Sequence, residues 1–216
     1  MEGIVDVLEK AGIVPVIVIE DEAQALPLAK ALVNGGLPVL EVTFRTKAAA
    51  SSIARIRDGL PGAVVGAGTL LTPAMVHAAK SAGAAVGVAP GFDPVVVSAA
   101  RTEGLDMIPG VATASELSQA LAAGVPMVKF FPAEAAGGVK MIKNLLGAFR
   151  FTGVKFMPTG GINLANVREY LSVPEVVACG GTWVVPKDAL AAGDYAAIER
   201  LAADAAALVR ELRGAV

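Results

Sequence analysis

Short runs of branched apolar residues recur along the whole chain and alternate with alanine-rich stretches. The runs are bounded by Gly, Pro or charged residues and are nearly continuous in Val, Ile and Leu, which is typical of parallel strands buried on both faces. The stretches between them space their apolar residues as helices do, and several begin at cap-forming residues: Thr72, Asp93, Thr113 and Asn163. The predicted strands are Ile13–Ile19, Pro38–Phe44, Ala63–Gly68, Ala84–Ala89, Leu105–Pro109, Pro126–Phe131, Val154–Pro158 and Val176–Cys179.

This alternation predicts an α/β fold, namely a (β/α)8 TIM barrel with a short N-terminal helix, as a single domain over residues 1–216. The chain allows about 27 residues for each strand–helix unit, which is enough for a closed barrel. An open doubly wound sheet is the alternative, but no glycine-rich nucleotide turn follows the first run. The spacing of Ile4, Val5 and Leu8 predicts the N-terminal helix, and Tyr195–Leu212 is predicted to form a closing helix.

Composition narrows the class of protein. Although 55% of the residues are hydrophobic, no apolar run approaches the roughly 18 to 20 residues of a membrane span, and the N-terminus does not resemble a signal peptide. The formal charge of −2, without a basic stripe, gives no electrostatic reason to expect nucleic acid as a partner. A single cysteine cannot form an internal disulfide, so we expect a cytoplasmic protein.

Polar residues occupy one face of the second predicted strand. In an extended chain the side chains of Glu41, Thr43 and Arg45 point the same way, opposite to Leu40 and Val42. An ionisable residue on a strand with two buried faces is costly unless it is paired or functional. A structural ion pair between Glu41 and Arg45 is the alternative to a catalytic role.

Lys129 lies between apolar neighbours in the sixth predicted strand. Burial favours the neutral amine, which is the form that attacks ketones and gives Schiff bases. A lysine that extends its amine from the strand end into solvent is the alternative. The chain has one histidine, His77, so a histidine-rich metal centre cannot be assembled and no metal is expected.

Glycine-rich turns follow the last two predicted strands, at Thr159-Gly160-Gly161 and Gly180-Gly181-Thr182. Many barrels bind phosphate there, because glycine lets exposed backbone N–H groups approach the anion closely. Each turn alone is weak evidence, since Gly-Gly is also an ordinary tight turn. Together they predict a phosphate site.

Six segments, taken in order, resemble the 2-keto-3-deoxy-6-phosphogluconate (KDPG) aldolases, also called 4-hydroxy-2-oxoglutarate (KHG) aldolases. The resemblance runs from about Val14 to Tyr195 and implies a class I aldolase on a (β/α)8 barrel, usually a homotrimer. Such an enzyme cleaves KDPG to pyruvate and glyceraldehyde 3-phosphate and uses no cofactor beyond its own lysine. The segments are Leu40–Thr46, Val65–Thr69, Ala89–Gly91, Lys129–Glu134, Pro158–Gly161 and Gly180–Pro186.

The resemblance also implies roles for individual residues. Lys129 would form the Schiff base, and Glu41 would act as the general acid and base. The pyruvyl carboxylate would be bound by Arg45 and Thr69. The remaining expectations are a pocket lined by Pro90, Phe131 and Thr159, and a phosphate site at Gly160, Gly161, Gly180, Gly181 and Thr182.

Two departures from the family pattern stand out. Thr182 replaces a residue that is often Ser, so the hydroxyl is kept and a methyl is added. Glu20 stands where many members have a basic residue, so we assign no binding role there. The roles of Glu134 and Trp183 stay open.

Other functions compete with this interpretation. A 2-keto-3-deoxy-6-phosphogalactonate aldolase, cleavage of KHG, or oxaloacetate decarboxylation would use the same lysine and carboxylate. A metal-independent sugar-phosphate isomerase or epimerase would share the glycine turns but would not need a buried strand lysine. A catalytically silent protein that binds a phosphorylated ligand is the rival from a different class.

Overall fold

The computed structural model describes residues 3–214, in which parallel strands alternate with helices along the chain. The sequence pattern predicted this alternation, and it is confirmed throughout the described range. The strands are β1 Ile13–Ile17, β2 Val39–Thr43, β3 Val64–Gly68, β4 Val86–Val88, β5 Asp106–Ile108, β6 Gly110–Val111, β7 Met127–Phe130, β8 Lys155–Pro158 and β9 Cys179–Gly181.

The helices include the predicted N-terminal helix and the predicted closing helix, which are the first and last in the described range. Short 3-10 turns at Glu22–Gln24 and Arg150–Thr152 lie beside α2 and α7. The α-helices are α1 Ile4–Ala11, α2 Ala25–Asn34, α3 Ala49–Gly59, α4 Pro73–Ala82, α5 Pro94–Thr102, α6 Ala114–Ala122, α7 Gly138–Phe149, α8 Val167–Leu171, α9 Lys187–Ala191 and α10 Tyr195–Arg213.

Side-chain caps start several of these helices where the sequence predicted them. Thr72 accepts a hydrogen bond from Met75 N at 3.2 Å, and Asp93 accepts one from Val95 N at 2.8 Å. Asn163 caps only a turn, because α8 begins three residues later than the cap-like residue suggested. None of the helices within residues 3–214 combines the length and the apolar character needed to cross a membrane.

The strands form two parallel sheets. Six strands pair in the order β5-β4-β3-β2-β1-β9, and three pair in the order β6-β7-β8. Isolated parallel bridges pair Phe156 with Val176 and Thr159 with Gly180. The architecture is therefore a parallel α/β fold whose sheet curls around its inner face.

Two predicted strands differ from those observed. The fifth was predicted at Leu105–Pro109, but β5 covers Asp106–Ile108 and an unpredicted strand, β6, follows Pro109, which has no N–H to donate to a sheet. The eighth was predicted at Val176–Cys179, but β9 extends over Cys179–Gly181 and only an isolated bridge forms at Val176. Gly180 and Gly181 thus belong to a strand and not to a turn, which corrects the prediction.

The two faces of the strands differ in what they pack against. Alternate residues such as Leu40 and Val42 belong to the large core between strands and helices. The opposite, inner face holds a smaller apolar cluster, to which Val39, Met127 and Leu8 of α1 belong. Helix α1 therefore covers the amino-terminal ends of the strands, and the carboxyl ends remain available for a site.

Candidate active site

A cavity of about 280 Å³ lies at the carboxyl ends of the strands, on their inner face. Segments that follow β2, β3, β4, β7, β8 and β9 all reach it. It thus unites eleven of the twelve predicted site residues, which lie far apart in the sequence. The lining residues are Val16, Glu41, Thr43, Arg45, Thr69, Pro90, Lys129, Phe131, Thr159, Gly160, Gly161, Ile162, Gly181 and Thr182.

Lys129 and Glu41 form the buried polar centre of this cavity. The Nζ atom of Lys129 lies 3.3 Å from Oε1 of Glu41, although 88 residues separate them in the chain. Lys129 is 5% exposed and Glu41 is 1% exposed. The second carboxylate oxygen, Oε2 of Glu41, is buried and has no hydrogen-bond partner among residues 3–214. The pair therefore offers a nucleophile and a free proton acceptor to anything that enters.

The lysine belongs to the interior and not to the solvent. Besides Glu41, its Nζ lies 5.3 Å from the centroid of the Phe131 ring. A side chain held between a carboxylate and an aromatic face cannot be the solvent-exposed lysine of the alternative interpretation. The structure thus places the amine where a bound ketone would be shielded from water.

Arg45 contacts Thr43 and not Glu41. Its Nε donates a hydrogen bond of 3.1 Å to Oγ1 of Thr43, whose hydroxyl in turn donates one of 2.9 Å to the carbonyl of Ile17. The chain of bonds fixes the guanidinium at the rim of the cavity. The structural ion pair between Glu41 and Arg45 is absent from the described residues, because the carboxylate is directed across the interior to Lys129.

At the end of β3, Gly68 lies close to the side chain of Glu41, and Thr69 has an unusual backbone conformation. A Cβ atom on Gly68 would collide with the carboxylate of Glu41, so only glycine leaves room for that side chain. The next residue, Thr69, has a φ of 61°, and it alone among the described non-glycine residues has a positive φ. A β-branched residue in this conformation is strained, and such strain is concentrated at functional sites.

The turn after β8 is held open by its glycines. Gly160 and Gly161 have φ values of 105° and 80°, which L side chains rarely adopt. Gly181 and Thr182 reach the same end of the cavity from β9. The structure does not bring Gly180 to the cavity, because its inner neighbour is Thr159, whose Oγ1 occupies the space of a Cβ there.

Sequence reasoning did not assign Val16, Thr43 or Ile162 to the site. The signal for Thr43 was available, because it shares a strand face with Glu41 and Arg45. Val16 and Ile162 carry no polar group, and only the fold shows that they line the cavity.

Two residues that sequence reasoning set aside lie elsewhere. His77 is an exposed side chain 3.0 Å from Glu103. Cys179 is fully buried, and burial raises the pKa of its thiol.

Comparison with known proteins agrees with this geometry. The family described as KDPG and KHG aldolase matches residues 4–201 of the chain. The chain belongs to this family. A 2-dehydro-3-deoxy-phosphogluconate aldolase of Treponema pallidum is 46% identical over 93% of this chain and 95% of its own length. A KHG/KDPG aldolase of Escherichia coli is 46% identical over 92% of each chain.

Solved structures of KDPG aldolases share the architecture. The enzyme of Legionella pneumophila, with pyruvate captured as a covalent carbinolamine, superposes with a TM-score of 0.90 at 41% identity over 94% of this chain and 98% of its own. The enzyme of Zymomonas mobilis with 3-phosphoglycerate gives a TM-score of 0.87 at 42% identity over 94% and 95%. This aldolase is therefore a member of a family of carbon–carbon lyases with known TIM-barrel-like structures.

Proposed function

We propose that this aldolase cleaves 2-keto-3-deoxy-6-phosphogluconate to pyruvate and glyceraldehyde 3-phosphate through a Schiff base on Lys129. The observation that carries the proposal is the buried contact of 3.3 Å between the Lys129 amine and the Glu41 carboxylate in a cavity with a glycine turn. The covalent carbinolamine of the Legionella pneumophila enzyme supports the same chemistry. Cleavage of KHG to pyruvate and glyoxylate would use the same groups.

The first half of the reaction forms an electron sink. The neutral amine of Lys129 attacks the C2 ketone, and the resulting carbinolamine loses water to give an iminium. Glu41 is within reach of the nitrogen and can take the proton that the Lys129 ammonium gives up before it attacks. Glu41 then returns this proton to the carbinolamine hydroxyl, which leaves as water, so Glu41 is a carboxylate again before the carbon–carbon bond breaks. The positive iminium then lies next to a buried carboxylate, and opposite charges attract more strongly there than in bulk water.

The second half breaks the carbon–carbon bond. Glu41, directly or through a water, removes the proton of the C4 hydroxyl as the C3–C4 bond breaks, and the aldehyde leaves. The electron pair of that bond passes to the iminium and gives an enamine. Glu41 or its water then protonates C3, and hydrolysis of the iminium releases pyruvate and restores the free lysine.

The two ends of the cavity suit the two ends of the substrate. Arg45, fixed by Thr43, and the strained Thr69 would hold the pyruvyl carboxylate. At the other end, Gly160, Gly161 and Thr182 would bind the phosphate with backbone N–H groups and a hydroxyl. Gly181 also lines that end of the cavity. Gly180 does not line it, and would affect the site only by leaving room for the side chain of Thr159.

We also infer that the two sheets close into one eight-stranded barrel within a single domain over residues 1–216. Only Pro109 separates β5 from β6, so one interrupted strand passes from the first sheet to the second. On the other side, β8 and β9 are the end strands of the two sheets, and the bridges of Phe156 with Val176 and of Thr159 with Gly180 support pairing between them. The contact of Lys129 with Glu41, across the inner face, is in keeping with closure.

The test of the proposal is covalent trapping. The full chain is incubated with pyruvate and borohydride, and the modified residue is identified by peptide mass spectrometry. We expect an irreversible adduct on Lys129 and, in a separate assay, release of pyruvate from KDPG. Absence of an adduct on any lysine would remove the Schiff-base mechanism, whereas an adduct with cleavage of phosphogalactonate-type substrates alone would change only the substrate.

Assembly and location remain predictions from the resemblance and the composition. We expect a homotrimer in the cytoplasm, with a small keto acid phosphate as the only ligand and no metal. Sedimentation of the purified chain measures the oligomeric state directly. A monomer at micromolar concentration would contradict the trimer without affecting the chemistry assigned to Lys129.

A further inference from the structure

Hydrogen bonds from two neighbouring segments, one after β7 and one before α8, hold the glycine turn after β8 from outside the cavity. The carbonyls of Thr159 and Gly160 accept hydrogen bonds of 2.8 Å and 3.0 Å from the backbone N–H groups of Ala133 and Glu134, just after β7. The carbonyl of Gly161 accepts a hydrogen bond of 3.1 Å from Nδ2 of Asn166 and a longer one of 3.4 Å from Nδ2 of Asn163. Three successive carbonyls are thus occupied by groups outside the cavity.

These hydrogen bonds to the carbonyls also determine the direction of the N–H groups in the turn. In a trans peptide the carbonyl and the following N–H point in opposite directions, and the bonds within this turn are trans. Because the carbonyls of Gly160 and Gly161 are held outside, the N–H groups of Gly161 and Ile162 face away from Glu134 and Asn166. Neither N–H has an acceptor within residues 3–214, and both residues line the cavity.

Asn166 is the N-cap residue of α8, and Tyr170 lies four residues further on, so both side chains are on the same side of this short helix. Asn166 bonds to the turn itself, and Tyr170 bonds to the side chain of Glu134. The Tyr170 hydroxyl donates a hydrogen bond to Oε1 of Glu134, and the Tyr170 ring is buried. Burial, followed by the neighbouring carboxylate, raises the pKa of Tyr170, so the hydroxyl stays a donor at all ordinary pH values.

The Glu134 side chain lies across the back of the turn. A Cβ atom on Gly161 would come within 2.6 Å of Cγ of Glu134, although Glu134 is not among the residues that line the cavity. A carboxylate this close to an anion site would repel a phosphate if it turned inward. The Tyr170 hydroxyl keeps it on the outer side.

From these contacts we propose that Asn166, Tyr170 and Glu134 are positioning residues that hold two backbone N–H groups ready for the substrate phosphate. They do not touch the reacting carbons. They act through the turn and set the preference for phosphorylated over unphosphorylated keto acids. This inference rests on the proposed aldolase function and deepens it.

The test compares KDPG with the same keto acid lacking its phosphate, 2-keto-3-deoxygluconate. Tyr170→Phe keeps the ring and removes only the hydroxyl, and Asn166→Ala removes the side-chain donor. For each variant we expect KM for KDPG to rise about tenfold. Tyr170→Phe releases the Glu134 carboxylate, and Asn166→Ala loses both the bond to the Gly161 carbonyl and the bond that its Oδ1 accepts from Asn163 N. We expect kcat/KM for 2-keto-3-deoxygluconate and the rate of pyruvate trapping on Lys129 to change less than about twofold.

Matched controls use the same substitutions away from the turn. Tyr195→Phe alters the chain's other tyrosine, on α10, and Asn144→Ala alters an exposed residue of α7. Both should match the unmodified chain on both substrates. Equal losses on the two substrates would show a general structural role and overturn the proposal, as would an unchanged KM for KDPG. If the unmodified chain traps pyruvate but cleaves neither substrate, the proposed function itself fails, and the selectivity assigned to the turn fails with it.

Discussion

At their amino-terminal ends the strands enclose an apolar cluster, whereas at their carboxyl ends the same inner face lines a polar cavity. Strand β2 shows both, because Val39 packs in the cluster and Glu41, two residues on, lies in the cavity. Strand β7 repeats the arrangement with Met127 and Lys129. Along β2 and β7, apolar packing and the polar site are thus separated by about two residues, or roughly 7 Å.

The difference teaches how a buried ion pair is tolerated. Charges removed from water destabilise a fold unless partners compensate them, and well-packed apolar residues would be at least as stable. The apolar end, covered by Leu8 and Ala11 of α1, supplies the packing that the polar end lacks. Variants at the two ends should therefore separate activity from stability, and four of them follow, from the largest effect to the smallest.

Lys129→Met should abolish the chemistry of the polar end. Without the amine no iminium forms, so we expect KDPG cleavage to fall by at least about a thousandfold and the pyruvate adduct to disappear. Circular dichroism checks that the fold persists. Lys155→Met, at the amino-terminal end of β8, is the control and should keep its activity. Unchanged cleavage by the folded Lys129 variant would disprove the Schiff-base assignment.

Glu41→Gln should slow the reaction while preserving the shape of the site. Loss of a general acid and base typically reduces turnover by about a hundredfold to ten-thousandfold. The variant should still trap pyruvate, but slowly, because Lys129 remains. Glu211→Gln, in an exposed pair with Arg168, is the control. Lost stability with normal activity per folded molecule would make Glu41 a structural partner only.

Leu8→Ala tests the apolar end of the strands, and it should lower stability while leaving activity unchanged. Leu8 is 1% exposed, so truncation leaves a cavity and lowers the free energy of unfolding by about 2 to 5 kcal/mol. Urea unfolding measures this loss, and kcat per folded molecule should stay unchanged. Leu71→Ala, at a 51% exposed leucine, should change stability by less than about 0.5 kcal/mol. A large fall in kcat for Leu8→Ala would show that the two ends are coupled.

Glu116→Gln tests a carboxylate that stabilises the start of a helix and takes no part in the proposed chemistry. Glu116 accepts hydrogen bonds from the N–H groups of Ala112 at 2.8 Å and Thr113 at 2.9 Å at the start of α6. These bonds, with that of Ala112 the largest cause, hold the pKa of Glu116 below its ordinary value. The carboxylate therefore stabilises the fold at neutral pH, and this contribution is lost as the pH falls through its lowered pKa.

The expected loss for Glu116→Gln at pH 7 is about 1 kcal/mol in the free energy of unfolding. The difference from the unmodified chain should narrow once the pH falls below about 4. Urea unfolding across this range measures it. A difference that stays constant with pH would mean that packing and not charge stabilises this helix start.

Much of the fold could be predicted because its signals are local. Apolar runs and helical spacing follow from backbone geometry, and Thr72, Asp93 and Thr113 cap helices through neighbouring residues. The ends of strands were less predictable. The division at Pro109 and the position of Gly180 within β9 depend on which backbone groups find partners in neighbouring strands.

The site was predictable in its residues and less so in its contacts. The alternation of side chains placed Glu41 and Arg45 on one face and suggested that they could pair with each other. The structure instead directs the carboxylate to Lys129. The contacts of Asn166 and Tyr170 with the glycine turn carried no sequence signal, because polar residues at such spacing are common on any helix.

By itself the sequence determined the alternation of strand and helix, the burial of an amine and a carboxylate on separate strands, and the glycines that leave a turn open. Only the tertiary structure decided that Glu41 meets Lys129 and that the carbonyls of Gly160 and Gly161 are bonded to groups outside the cavity. The physical reason is that local pattern sets the face of a strand on which a side chain lies. The partner on that face is set by the register and curvature of strands that are distant in the chain.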